Sequence, residues 1–209
     1  MLWEAIEIRE AFEHPKPPAA EHRSIAVLIL EGAVQEVASA NWDGFIEEAV
    51  TQLSGGVPGV MQVVVDPDQL RGPAGRATLL KFHGCIVHAA REPLIFRQYL
   101  TGSYTQIMSW PEAAVFAAMR NAIVSLATTR KTLVLGLSIQ DNNLQTIFPR
   151  ATAVHGWPWP CAPATPAHVF CEDTIQLGQL DVLRLVYGDA YNNAPTALHD
   201  ATLLRAWGE

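Results

Sequence analysis

Residues 131–138 read Lys-Thr-Leu-Val-Leu-Gly-Leu-Ser, an apolar run that ends in a turn of small residues. Such a run is typical of a strand buried on both faces, which is the usual situation in a parallel sheet. A short helix is expected to begin at Asp141, directly after this turn. The segment therefore predicts one strand of a sheet covered by helices.

The residues before this strand predict a helix from Pro111 to about Thr128. Ser109 or Trp110 would cap this helix, and proline is favoured at the first helical position. No proline or glycine interrupts residues 112–135. The expected order is thus helix, strand, turn and helix.

The rest of the chain also alternates between β-rich apolar runs and helical patterns. Strands are expected at 34–40, 61–65, 78–82 and 168–171, and helices at 1–13, 20–31 and 45–53. Residues 24–30 could instead form a buried strand, and residues 179–187 fit either a helix or a strand. This alternation predicts an α/β fold: a doubly wound, Rossmann-like, mostly parallel sheet with helices on both faces.

The composition excludes several classes of protein. The 209 residues are 49% hydrophobic and 17% charged, which fits a chain with a packed core and excludes overall disorder. A net charge of −7 without a Lys/Arg cluster argues against binding to duplex DNA. The three cysteines are far apart and form no Cys-x-x-Cys pair, which favours a reduced, cytoplasmic protein. No uncharged stretch suits a membrane helix, so we expect no membrane partner. The charge pattern likewise leads us to expect no nucleic-acid partner.

Polar or small residues follow three of the predicted strands, and ligands of a doubly wound sheet bind outside the carboxyl ends of its strands. These segments are Ser-Ala-Asn-Trp-Asp at 39–43, Lys-Phe-His-Gly-Cys at 81–85 and Leu-Gly-Leu-Ser-Ile-Gln-Asp at 135–141. Each also has a purely structural interpretation. Asn41 and Asp43 are favoured helix caps, a lone histidine before glycine is more often structural, and Gly136 with Ser138 can form a tight turn.

In this order and spacing, the three segments resemble the sirtuin family, and especially the bacterial zinc-free sirtuin-like domains of NAD-degrading defence proteins. Residues 40–47 are similar to the family's Thr-x-Asn-x-Asp segment, and residues 80–84 to the Lys-x-His-Gly segment that carries its catalytic histidine. Residues 135–138, with Asp141 beyond, resemble the Gly-x-Ser turn at the adenosine side of the dinucleotide. The resemblance covers roughly residues 20–190 and implies NAD as the cofactor.

The resemblance also implies roles for individual residues. His83 would be the base that takes a proton from a ribose hydroxyl or an attacking water, and a histidine titrates in the range that this role needs. Asn41 would orient that water or hydroxyl, and Asp43 would contact the nicotinamide carboxamide. The further residues expected to bind the cofactor are Ser39, Gly84, Gly136, Ser138, Asp141 and Glu172, with Asp173 as the alternative to Glu172.

Two features of the family are absent from the sequence. Cys85, Cys161 and Cys171 cannot supply the four-cysteine zinc module of protein-deacylating sirtuins, so no metal site is expected. The opening Gly-Ala-Gly-x-Ser phosphate loop is also missing, and the glycine-rich residues 54–59 follow a helix rather than a strand. We therefore expect a sirtuin-like domain that is incomplete at its N-terminus.

The expected domain organisation has three parts. Residues 1–19 would form an N-terminal helix and a Pro-rich linker, residues 20–193 the NAD-binding domain, and residues 194–209 a helical tail. The Trp-Pro stretch at 156–161 would be a rigid loop packed on the sheet or an aromatic lid.

The sequence leaves three functions open. The first is hydrolysis of NAD at the nicotinamide–ribose bond, and the second is a catalytically inactive NAD or ADP-ribose sensor or interaction domain. The third, an NAD-dependent protein deacylase, is disfavoured by the missing zinc module. A homo-oligomer or a fused partner domain also stays open.

Overall fold

The computed structural model describes residues 17–137, 139, 144–148, 150, 168–171 and 173–203. The chain forms two compact units that divide after Met119. The predicted helix at 1–13, the Trp-Pro stretch at 156–161 and the end of the predicted tail lie outside the described residues.

The first unit contains a three-stranded parallel sheet. Its elements are helix α1 (Ala20–Leu30), strand β1 (Glu36–Ser39), helix α2 (Phe45–Ser54), strand β2 (Met61–Val64) and strand β3 (Ala77–Lys81). The strands lie in the order β1-β3-β2. The predicted helices and strands of this region are confirmed, and the alternative of a strand at 24–30 is wrong because these residues belong to α1.

Helices α1 and α2 pack against each other and share an apolar core with the sheet. Ala26 of α1, Ala49 of α2 and Leu79 of β3 are each fully buried in this core. Because side chains alternate along a strand, Lys81 lies on the same face of β3 as Leu79. Helix α2 ends where Gly55 adopts a left-handed conformation with φ of 65°, a common helix terminator.

The segment between β3 and residue 117 folds as short helices. These are α3 (Ile86–Arg91), α4 (Pro93–Phe96) and α5 (Tyr104–Ser109), with 3-10 turns at Arg97–Tyr99 and Ala114–Phe116. Helix α6 (Ala117–Thr129) follows.

The prediction that Pro111 opens a helix is wrong, although the predicted end near Thr128 is correct. Pro111 instead follows the C-terminal cap of α5, which is Trp110. The Trp110 side chain is fully buried, and its indole Nε1–H donates to the Phe82 carbonyl at 3.0 Å. This tertiary anchor fixes a turn in which the Ala113 N–H donates to the Ser109 carbonyl, so the helix starts later.

The second unit contains a two-stranded parallel sheet. Its elements are β4 (Thr132–Leu135), β5 (His168–Cys171), α7 (Leu177–Tyr187), α8 (Asp189–Asn193) and α9 (Pro195–Thr202). Residues 144–148 are helical, near the short helix expected after Asp141. The ambiguous residues 179–187 are helical as part of α7.

Strand β4 is buried on one face rather than on both. Val134 is 6% exposed, whereas Leu133 and Leu135 on the opposite face are 45% and 44% exposed. The prediction of a doubly buried strand was therefore wrong, because an apolar run does not by itself show how many faces are covered. The general prediction of an α/β fold with parallel sheets and helices is confirmed.

Within the described ranges, no helix is both long and apolar enough to cross a membrane. Helix α9 lies in the predicted helical tail, and its Leu198 is 1% exposed. Beyond this helix, Leu203 forms a single parallel bridge with Phe170 of β5.

Candidate functional site

The first unit brings the Asn41 segment and the His83 segment to the same edge of its sheet. Ser39 pairs with Lys81 at the carboxyl ends of β1 and β3, and the Phe82 N–H donates to the Ser39 carbonyl at 3.2 Å. Asn41 and His83 each lie two residues beyond this pair. The parallel register thus places both at the sheet edge where ligands of such folds bind.

A cavity of about 400 Å³ opens at this edge. Its lining residues are Ala40, Asn41, Trp42, Asp43 and Thr101. His83 is not among these lining residues, but its carbonyl accepts a hydrogen bond of 3.0 Å from the N–H of the lining residue Thr101. The cavity is shallow and open to solvent.

The loop that leaves β1 is ordered by its own polar side chains. The Asn41 N–H donates to Ser39 Oγ at 3.2 Å, and the Phe45 N–H donates to Asp43 Oδ1 at 3.1 Å. Asp43 therefore satisfies a backbone donor in the first turn of α2, as its structural interpretation expects. This bond accounts for one of the two carboxylate oxygens of Asp43.

The histidine of the site is buried among aromatic rings. His83 is 5% exposed, and its ring makes edge contacts with Phe82 and Trp110 at centroid distances of 4.6 Å and 6.1 Å. These two contacts restrict the orientations that the imidazole can adopt.

Gly84 has a structural reason to be glycine. Its φ is 91°, and a Cβ at this position would lie 2.7 Å from the carbonyl oxygen of Tyr99. Any other residue would combine an unfavourable backbone conformation with a clash against main chain. The glycine thereby allows the backbone after His83 to pass close to the 99–100 segment.

A buried charged pair lies beneath the Asn41 loop. The Lys81 ammonium donates to the Asp43 carbonyl and lies 3.6 Å from Glu47 Oε1, while the Lys81 side chain is only 1% exposed. Burial raises the pKa of the Glu47 carboxyl, and the charge of Lys81 partly opposes this shift. The free thiol of Cys85 lies 4.0 Å from Glu47 Oε1, and burial raises the pKa of that thiol.

Sequence reasoning missed three residues that shape this edge: Glu47, Thr101 and Trp110. Thr101 and Trp110 lie in segments without a motif, whereas Glu47 lies in the 40–47 segment but has no role in the resemblance. The one available signal was the size and polarity of Trp110, since a buried indole N–H needs an acceptor.

The predicted residues of the second unit are only partly described. Gly136 follows β4 with a φ of 58°, and no atom of the described residues lies within 4 Å of where its Cβ would stand. Ile139 is buried with a φ of 54°, an unusual conformation for a β-branched residue. The side-chain amide of Gln179 donates to the Leu137 carbonyl at 3.0 Å and so supports this turn.

Ser138, Asp141 and Glu172 lie outside the described residues. Asp173, the alternative to Glu172, lines a second cavity of about 340 Å³ within the second unit. The other residues that line this cavity are Thr174, Ile175, Leu180, Thr196, His199, Asp200 and Leu203.

Among the residues that the structure describes, no three His, Cys, Asp or Glu side chains are grouped so that they could hold a metal ion. The buried Cys85 side chain is a free thiol.

Comparison with known proteins gives one family match. A family model described as a SIR2-like domain matches residues 35–157, which is more than half of the chain. The matched span includes the Asn41, His83 and Gly136 segments. No curated protein matches the chain.

Proposed function

This chain belongs to the SIR2-like family, and we propose that it binds NAD and hydrolyses the bond between nicotinamide and ribose. One observation carries the proposal. Asn41, Asp43 and His83 lie at the carboxyl edge of one parallel sheet, where Asn41 and Asp43 line a cavity and the His83 carbonyl accepts a hydrogen bond from Thr101, another lining residue.

In the proposed reaction, water replaces nicotinamide at the ribose carbon, and the products are ADP-ribose, nicotinamide and a proton. The bond to nicotinamide breaks with its electron pair leaving on the ring nitrogen, and an oxygen of water forms the new bond. His83 takes the proton from the water or from a ribose hydroxyl.

Asn41 and Asp43 have complementary tasks in this proposal. The Asn41 amide both donates and accepts hydrogen bonds, so it can orient the attacking water or the ribose hydroxyl. Asp43 accepts a hydrogen bond from the nicotinamide carboxamide. Their positions on the cavity wall support these roles.

We assign the remaining candidates to NAD binding. Ser39 and Gly84 belong to the first unit, and Gly136 belongs to the turn after β4, where its positive φ supports a close approach of backbone to ligand. Ser138, Asp141 and Glu172 complete this proposed set.

The test is the consumption of NAD by the purified chain, followed by chromatography of nicotinamide and ADP-ribose. We expect turnover by the parent chain and a fall in kcat of about 100-fold or more for His83→Ala. His22→Ala is the matched control, because His22 lies on α1 and its ring packs against Phe45. Full activity of His83→Ala would contradict the proposed base.

The burial of His83 favours a second candidate function, an NAD or ADP-ribose sensor without turnover. A histidine that is 5% exposed has little room to reach a ligand. Calorimetry with NAD and with ADP-ribose separates the two functions, since a sensor binds at least one of them and releases no nicotinamide.

We also propose a cytoplasmic location, which the free thiol of Cys85 supports because cytosolic thiols stay reduced. Cell fractionation tests it, and recovery of the chain in an oxidising compartment would contradict it.

A further inference from the structure

We propose that Lys81 is a positioning residue whose buried ammonium group holds the Asn41–Asp43 loop against the end of β3. The catalytic consequence rests on the proposed NAD hydrolysis, whereas the mechanical role of Lys81 can be tested without any ligand.

Three hydrogen bonds connect this loop to β3 and to the residues that follow it. The Phe82 N–H donates to the Ser39 carbonyl where the loop begins, and the Ile86 N–H donates to the Trp42 carbonyl at 2.9 Å. The Lys81 ammonium donates to the Asp43 carbonyl where the loop ends. The lysine bond is the one of these three that a side chain makes.

The positive charge of Lys81 is energetically unfavourable in this buried position. An ammonium group that is 1% exposed loses its hydration, and burial is tolerated only with close polar partners. Its partners are the Asp43 carbonyl and Glu47, whose Oε2 has no hydrogen-bond partner within the described part of the chain.

A role in positioning the loop explains the Lys81–Glu47 pair better than a contribution to the stability of the fold does. Buried ion pairs can often be replaced by apolar residues without loss of stability. Glu47 lies on α2, directly after the loop, while Lys81 is the last residue of β3. The pair therefore joins the two elements that carry the Asn41 and His83 segments.

Amide hydrogen exchange tests the mechanical role. In Lys81→Met, we expect the amides of Asn41, Phe45 and Ile86 to exchange about tenfold faster, the size expected for a lost hydrogen bond to a charged group. The Thr78 amide, which donates to the Gln35 carbonyl at the other end of the sheet, should be unchanged.

Two further variants keep the result decisive. Val50→Ala is the matched control, because it removes buried atoms from α2 without touching the pair, and it should leave the loop amides unchanged relative to Thr78. The double variant Lys81→Met/Glu47→Gln removes both charges. It takes the place of Lys81→Met if Lys81→Met does not fold. Unchanged exchange at Ile86 in whichever variant folds would overturn the proposal.

The activity measurement adds a second readout. If the parent chain hydrolyses NAD, Lys81→Met should lower kcat on the order of 100-fold at an unchanged folded fraction, because misplaced catalytic groups cost about that much. Val50→Ala should retain the kcat of the parent. Faster loop exchange with an unchanged kcat would overturn the positioning role, whereas an inactive parent would overturn only the proposed hydrolysis.

Discussion

The carboxyl edge of the first sheet and the turn after β4 are held in different ways. At the first edge, tertiary contacts fix the backbone: Trp110 bonds the Phe82 carbonyl, and the main chain at Tyr99 packs against Gly84. In the turn after β4, no described atom would contact a Cβ at Gly136, and the backbone takes positive φ values. Substitutions at the first edge should therefore lower the free energy of unfolding strongly, because they disturb packing. Substitutions in the turn should lower it less, through backbone strain.

The largest effect is expected from Trp110→Ala. Loss of this fully buried ring should lower the free energy of unfolding by about 3–5 kcal/mol, because a large cavity remains. Urea denaturation of both proteins measures the difference.

Trp110→Phe is the matched control for that substitution. It keeps most of the ring packing but leaves the Phe82 carbonyl without the indole donor, which should cost about 1–3 kcal/mol. Equal losses for the two variants would show that the hydrogen bond, rather than packing, dominates this edge.

The second largest effect is expected from substitution of a glycine with positive φ, and Gly84 is compared with Gly136. Gly84→Ala should cost about 3 kcal/mol or more, since backbone strain adds to a clash with the Tyr99 carbonyl. Gly136→Ala should cost only about 1 kcal/mol from backbone strain, because no atom of the described residues would meet the added Cβ. Thermal denaturation of both variants tests this comparison, and a larger loss of stability in Gly136→Ala than in Gly84→Ala would contradict it.

The smallest effect concerns the pH dependence contributed by Glu47. Its pKa is raised in the folded chain by burial, so the folded state holds this proton more tightly than the unfolded state. The unfolding free energy of the parent should therefore fall relative to Glu47→Gln as pH rises from the ordinary value of 4.5 through the folded pKa. The effect is small because Lys81 offsets part of the burial penalty.

Urea titrations of the parent and Glu47→Gln at several pH values measure this difference. A parent that gains stability over the variant across that range would show that the attraction of Lys81 outweighs burial.

The sequence predicted the first sheet well because local signals there agree. Strands β1, β2 and β3 are short β-rich runs bounded by turn residues, and Gly55 ends α2 where expected. The parallel arrangement then accounts for why Asn41 and His83 meet at one edge.

The same reasoning failed where tertiary contacts decide the structure. The short helices between residues 86 and 109 have too few turns to leave a periodic pattern. Thr101 reaches the site from a segment without a motif, and nothing in the sequence indicates that Glu47, although it lies in the 40–47 segment, pairs with Lys81. The delayed start of α6 follows from the anchoring of Trp110, which nothing in the neighbouring residues reveals.

We propose that His83, at the edge it shares with Asn41, acts as the base in NAD hydrolysis. The rate of nicotinamide release from NAD by the parent chain, His83→Ala and His22→Ala at equal folded concentration tests this role. We expect release by the parent and His22→Ala at similar rates, and a loss of about 100-fold or more in His83→Ala. Equal release by all three proteins would contradict it.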